Sequence, residues 1–137
     1  MSYTVLVVDD SAIVRTMVKK SIGMAGLPIG TILEAGNGKE ALEILRKQWV
    51  DIVFADLNMP EMNGTELVEE MSRDSVLVAT PVVIVSSEHS QAKIDALKAK
   101  GIRAYIKKPF RPEGFREVVE GVLGDTARQE AKKEVLP

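Results

Sequence analysis

Asp51–Gly64, DIVFADLNMPEMNG, decides how the chain is read. Ile52, Val53, Phe54 and Ala55 form a short apolar run without polar alternation. That pattern suits a central strand covered on both faces, as in a parallel sheet. The run ends on a carboxylate, Asp56, and breaks into a loop marked by Pro60 and Asn63-Gly64. Ligands of open α/β sheets bind beyond the carboxyl ends of the strands, so Asp56 stands where chemistry is expected. Upstream, Tyr3–Val8 ends in the same way, on Asp9-Asp10.

Working outward, apolar strands alternate with helical patterns. Asp9-Asp10-Ser11 leads into a helix with Ile13, Val14, Met17, Val18 and Ile22 at helical spacing, closing near Gly23–Gly26. Thr31–Ala35 is a weaker strand, expected toward an edge. Lys39–Lys47 is a helix with Ala41, Leu42 and Leu45 inward, and Trp49 is expected in the core or at the sheet margin. Glu66–Ser72 is a third helix with Leu67, Val68 and Met71 inward. Val82–Val85 is a continuous apolar strand ending on Ser86-Ser87. A helix over 90–100 stops at Gly101, Ala104–Lys107 is a short strand, and a last helix starts near Pro112. Val119, Leu123, Ala127, Ala131 and Val135 stand four apart, so this helix is expected to run past residue 124 despite Gly121 and Gly124. Five strands alternating with five helices imply a doubly wound parallel sheet with right-handed crossovers.

The 137 residues suit one domain; we assign 1–123 to it and 124–137 to a C-terminal tail. Cysteine is absent, which excludes disulfides, thiolate metal sites and cysteine nucleophiles. With no basic-then-apolar leader and no apolar run near the length of a membrane span, the expected location is cytoplasmic. The net charge of −2 hides a local polarity. Residues 34–74 carry ten acids against four bases, and residues 93–111 carry seven bases against Asp95. The second stretch is a basic surface suited to an acidic partner segment, too small and local for direct nucleic-acid binding.

Three strands thus deliver Asp9-Asp10, Asp56 and Ser86 to one rim, and a fourth is followed by Lys108. Carboxylates about 4 Å apart repel by about 4 kcal/mol per pair at an effective dielectric of 20. A divalent cation and a lysine would offset this. Carboxylates, a backbone carbonyl and waters are what Mg²⁺ prefers, beside an aspartyl nucleophile.

With DD after the first strand, DLNMPEMNG at the third, VSS at the fourth and YIKKPF at the fifth, residues 3–123 resemble the receiver domain of two-component response regulators, most nearly its free-standing chemotaxis type. The resemblance implies a flavodoxin-like sheet of order 2-1-3-4-5. It implies that Asp56 accepts a phosphoryl group from a sensor histidine kinase. Asp9, Asp10, Asp56 and the Asn58 carbonyl would hold Mg²⁺. Ser86 would be the switch hydroxyl, Lys108 the phosphate partner, Lys108–Pro109 a cis peptide and Tyr105 the aromatic switch. Asn58 and Glu88 would tune the lifetime of the acyl phosphate toward fast clearance. His89, the sole histidine, is expected on the surface at the mouth of the site rather than as a phosphodonor.

The resemblance further implies an output protein at the surface of the fourth helix, fifth strand and fifth helix, a phosphatase as a further partner, and a monomer or weak dimer. It implies a signalling phosphoacceptor, not an enzyme acting on other substrates. Two alternatives within reach are a receiver arm of a larger regulator and a phosphorelay shuttle. An aspartate-nucleophile phosphatase wants a second acid two residues after the nucleophile, where Asn58 stands. Flavodoxin-type FMN binding wants a loop rich in Gly, Ser and Thr where this chain has Asp9-Asp10-Ser11.

Overall fold

A computed structural model of the chain describes the backbone of residues 2–88 and 90–135, with side chains up to residue 124. The expectation for His89 lies outside the described residues. The elements run β1 (Tyr3–Val8), α1 (Ala12–Met24), β2 (Ile29–Ala35), α2 (Gly38–Lys47), β3 (Ile52–Ala55), α3 (Gly64–Ser72), a 3-10 turn at Leu77–Ala79, β4 (Val82–Ser86), α4 (Gln91–Ala99), β5 (Ala104–Lys107) and α5 (Pro112–Val135). All strand pairs are parallel, in the order β2-β1-β3-β4-β5. The continuous apolar runs belong to the central strands: every residue of β3 and β4 is buried.

Because alternate strand residues point to opposite faces, the sheet splits its core into two layers. Leu6, Val8, Val53, Ala55 and Ile84 pack with α2, α3 and Leu97 of α4. Val5, Val7, Ile52, Phe54, Val83 and Val85 pack with α1 and α5 on the other side. There Phe115 of α5 sets its ring edge-on to Phe54 at 5.3 Å and to Phe110 at 5.2 Å, a favoured aromatic geometry.

Helix starts are fixed by short polar caps. Ser11, Asn37, Asn63 and Ser90 each accept a backbone N–H from the residue three further on, satisfying donors that the first turn leaves free. At α3 Glu66 also accepts the Asn63 amide, completing a reciprocal box. Asn63 thereby starts α3 two residues before the sequence pattern does. The last helix does continue past Gly124.

Two packing expectations change. Within α1 only Val18 and Ile22 are buried, while Ile13 and Met17 are 75% and 53% exposed. The five apolar residues span more of the helix circumference than the sheet and α5 cover. Trp49 is 73% exposed rather than in the core. Its indole N–H donates to Asp51 Oδ1 at 2.9 Å, and Asp51 Oδ2 accepts the Thr4 amide at 2.7 Å. A carboxylate that already serves β1 therefore holds the ring at the surface.

Candidate functional site

The parallel register brings the carboxyl ends of β1, β3, β4 and β5 to one rim. Val8 pairs with Ala55, so Asp9 and Asp56 leave adjacent strands at the same level. The Asp56 amide donates to the Val8 carbonyl at 3.0 Å and the Asp9 amide to the Ala35 carbonyl at 3.1 Å. Both acids are thus anchored by their own backbones. Across the rim, the Lys108 amide donates to the Ser86 carbonyl at 2.9 Å. The following Lys108–Pro109 bond is cis.

Carboxylate oxygens of Asp9, Asp10 and Asp56 lie within 4.8 Å of one another. Asp9 is buried, Asp56 half-buried and Asp10 exposed. Lys108 Nζ stands 3.7 Å from Asp9 Oδ2 and 3.8 Å from Asp56 Oδ2. Asp56 Oδ1 is engaged locally by the Leu57 amide at 2.8 Å. Burial pushes the Asp9 carboxyl above its ordinary range; the Ser11 amide opposes this, repulsion from Asp56 and Asp10 adds to it, and Lys108 opposes it. Lys108 thus lies within 4 Å of two of the three acids. The donors are hard oxygens, and a small divalent cation fits them better than a soft metal.

The loop after Asp56 is held from below by two glycines. Gly64 donates its amide to the Leu57 carbonyl at 3.0 Å, and a Cβ on it would collide with the Asp56 carbonyl oxygen. Gly38 donates to the Met62 carbonyl at 2.9 Å, and its Cβ would meet Met62 Cγ at 2.6 Å. Glu61 turns the loop with φ of 63°. Asn58 is exposed within it.

Ser86 is 1% exposed, and its hydroxyl accepts the Glu88 amide at 3.3 Å. The Tyr105 hydroxyl donates to the Glu88 carbonyl at 2.8 Å. Burial raises the Tyr105 phenol, with the Ser86 hydroxyl opposing. The Glu88 carboxylate accepts the Ser90 amide at 2.9 Å and pairs with Lys93 at 3.2 Å. The structure therefore brings Asp9, Asp10, Asp56 and Lys108 together, with Ser86, Glu88 and Tyr105 linked on β4, its loop and β5.

Arg15 was not evident in the sequence. Its Nη1 donates to the Asp9 carbonyl at 2.6 Å. No residue pattern marks which carbonyl a helix arginine will reach; only its place one turn after Asp10-Ser11 hinted at proximity.

Comparison with known proteins gives a consistent result. The family model of the response regulator receiver domain matches residues 5–120. A chemotaxis protein CheY homolog of Campylobacter jejuni is 41% identical over 121 residues, covering 87% of this chain and 91% of that protein. CheY1 of Helicobacter pylori is 40% identical over 121 residues, covering 87% and 95%. The nitrate/nitrite response regulator NarL of Escherichia coli is 34% identical over 134 residues, with 97% of this chain matching 61% of that protein. Among solved structures, chemotaxis protein CheY4 of Vibrio cholerae superposes with a TM-score of 0.79 at 34% identity, over 89% of this chain and 99% of that one.

Proposed function

Since the chain belongs to the response regulator receiver domain family, we propose that it carries a signal as a phosphoryl group on Asp56, received from a sensor histidine kinase. The observation that carries this reading is the convergence of Asp9, Asp10 and Asp56 within 4.8 Å, faced by Lys108.

In the proposed reaction an Asp56 carboxylate oxygen attacks phosphorus in line. The bond from phosphorus to the donor imidazole nitrogen breaks, and that nitrogen keeps the electron pair. Asp9, Asp10, Asp56 and the Asn58 carbonyl are the groups that would hold Mg²⁺. When bound, the ion would supply positive charge to offset the charge of the phosphoryl oxygens. Lys108 binds a phosphoryl oxygen, a role supported by an ammonium that stands 3.7 Å from Asp9 and 3.8 Å from Asp56. The fixed backbone anchors of Asp9 and Asp56 supply the positioning.

The added phosphoryl oxygens reward a state in which the Ser86 hydroxyl moves toward them and Tyr105 follows. The population shifts only by the difference in affinity between the two states. The output surface is α4, β5 and α5. Lys98, Arg103, Lys107 and Arg111 are exposed on this stretch, where an acidic partner segment would be favoured. Asn58 and Glu88 would govern water access to the acyl phosphate, giving a short-lived phospho-form open to acceleration by a phosphatase. We take 1–123 as the receiver unit, 124–137 as its tail, a cytoplasmic setting, and a monomer or weak dimer.

The test is labelling by a small phosphodonor such as acetyl phosphate. Wild type should label with Mg²⁺ and not with EDTA, and Asp56→Asn should not label at all. An unlabelled wild type in the presence of metal and donor would sink the reading. After donor removal, a phospho-form persisting for hours would refute fast clearance. The similarity to NarL favours one second reading, a receiver unit within a larger regulator; the length of the full reading frame separates the two.

A further inference from the structure

Arg15 lies one turn into α1 with its guanidinium folded back across the rim. Nη1 donates to the Asp9 carbonyl oxygen at 2.6 Å, and Nε donates to Glu34 Oε1 at 3.1 Å. The other Glu34 oxygen accepts from Lys19 Nζ at 3.0 Å. As a surface ion pair alone this set would contribute little. Its placement gives it a second role, because the Asp9 carbonyl belongs to the peptide joining the two acids of the rim.

That peptide is planar, so holding its oxygen fixes the direction in which Asp10 leaves Asp9. The other side of Asp9 is already secured, with its amide on the Ala35 carbonyl at 3.1 Å and its Oδ1 on the Ser11 amide at 2.9 Å. Asp10, exposed on the rim, is the member whose direction these bonds do not set. Glu34, fixed in β2, orients the guanidinium from behind.

We propose that Arg15 is a positioning residue for the cation site: its bond to the Asp9 carbonyl holds the Asp9–Asp10 peptide so that both carboxylates converge on Asp56. This rests on the Mg²⁺ site described above. Groups behind the direct ligands commonly change metal affinity by about 10- to 100-fold. Charge alone acts in the opposite direction, since a guanidinium beside a cation site repels the cation. The sign of the effect therefore separates positioning from electrostatics.

The experiment is calorimetric titration of the full chain with MgCl₂, alongside thermal melts in EDTA. Arg15→Ala should weaken Mg²⁺ binding about tenfold. Arg15→Lys, which can hold the carbonyl or Glu34 but not both, should recover part of the loss. Arg15→Met keeps the aliphatic stem, and reports in the same direction if the alanine variant folds poorly. Variants that bind Mg²⁺ as tightly as wild type, or more tightly, overturn the proposal, as does a melting shift with unchanged affinity. A wild type that takes up no Mg²⁺ overturns the cation site itself and this role with it.

Discussion

The Tyr105 hydroxyl donates to the Glu88 carbonyl oxygen at 2.8 Å, tying β5 to the loop that follows Ser86. Ser86 holds the same loop from the other side, through the Glu88 amide. One short segment thus connects the proposed switch hydroxyl to the ring of Tyr105 on β5. The ring itself is half-buried against the core layer that contains Ile84 and Leu97.

Tyr105→Phe keeps the packing of the ring and deletes this bond, which typically contributes about 1 kcal/mol. The loop amides after Ser86 should then exchange with solvent several-fold faster in the unphosphorylated protein. Acetyl phosphate should still label Asp56 at close to the wild-type rate. Hydrogen exchange and labelling check the two halves separately; unchanged loop exchange would remove the tether from the account.

Gly64 carries a stronger prediction. A Cβ there would strike the Asp56 carbonyl oxygen and lie 3.1 Å from the Leu57 Cα. The obstacle is backbone, which moves only by displacing Asp56. Gly64→Ala should cost about 1–3 kcal/mol by overpacking and slow Asp56 labelling at least tenfold. Gly121→Ala is the control, because nothing lies within 4 Å of its added carbon. In a helix that change should stabilise by about 0.5–1 kcal/mol. Urea melts of the two variants should move in opposite directions.

The contrast between these glycines shows what the sequence carries and what it leaves out. Apolar runs such as Val53–Ala55 and Val82–Val85 declare buried strands, because only a strand covered on both faces tolerates them. Asp56 was legible because a carboxylate closing such a strand needs a counter-charge. Resemblance, rather than periodicity, supplied the strand order. Periodicity also overstated α1: it counted Ile13 and Met17 with Val18 and Ile22, although the fold covers only part of that helix. The surface position of Trp49 depends on Asp51, whose other oxygen is engaged by β1. The Arg15 contact with the Asp9 carbonyl likewise joins groups whose meeting depends on side-chain direction.

Trp49 gives a prediction from that same correction. It precedes β3, at the end of the sheet opposite Asp56, and β3 places about 13 Å of strand between them. Its indole N–H is committed to Asp51. Adding Mg²⁺ should therefore leave tryptophan emission within a few per cent of its starting value, while Asp51→Asn should alter it. Strong metal quenching would show that the ion binds elsewhere.

Glu34 offers a test of pH dependence. The hydrogen bond from Lys19 holds its carboxyl below the ordinary value of 4.5; burial opposes this, and Arg15 adds to the lowering. A depressed carboxyl binds fewer protons folded than unfolded near that value. Its stabilisation is present above pH 4.5 and is lost as pH falls through the folded-state value. The side chain is 37% exposed, so screening limits the contribution to about 0.5 kcal/mol. Glu34→Gln should lower stability by that amount at pH 7, and by less at pH 3 or in 1 M salt. An undiminished difference under acid would assign the effect to packing.

Asp9 tests whether the rim is strained by its own charge. Its carboxylate lies within 4.8 Å of those of Asp10 and Asp56, and 3.7 Å from Lys108. At an effective dielectric of 20 each repulsion is about 3 kcal/mol and the attraction about 4 kcal/mol, so two repulsions outweigh one attraction. Asn at this position keeps an oxygen for the Ser11 amide. Asp9→Asn should therefore be roughly 2 kcal/mol more stable than wild type in EDTA. Millimolar Mg²⁺ should narrow the gap, because a ligand stabilises the folded state in proportion to its affinity for it and the variant has lost a ligand. Urea denaturation with and without metal reads both effects. A variant less stable than wild type in EDTA would mean that Lys108 already neutralises the rim, leaving no excess charge for a cation to relieve.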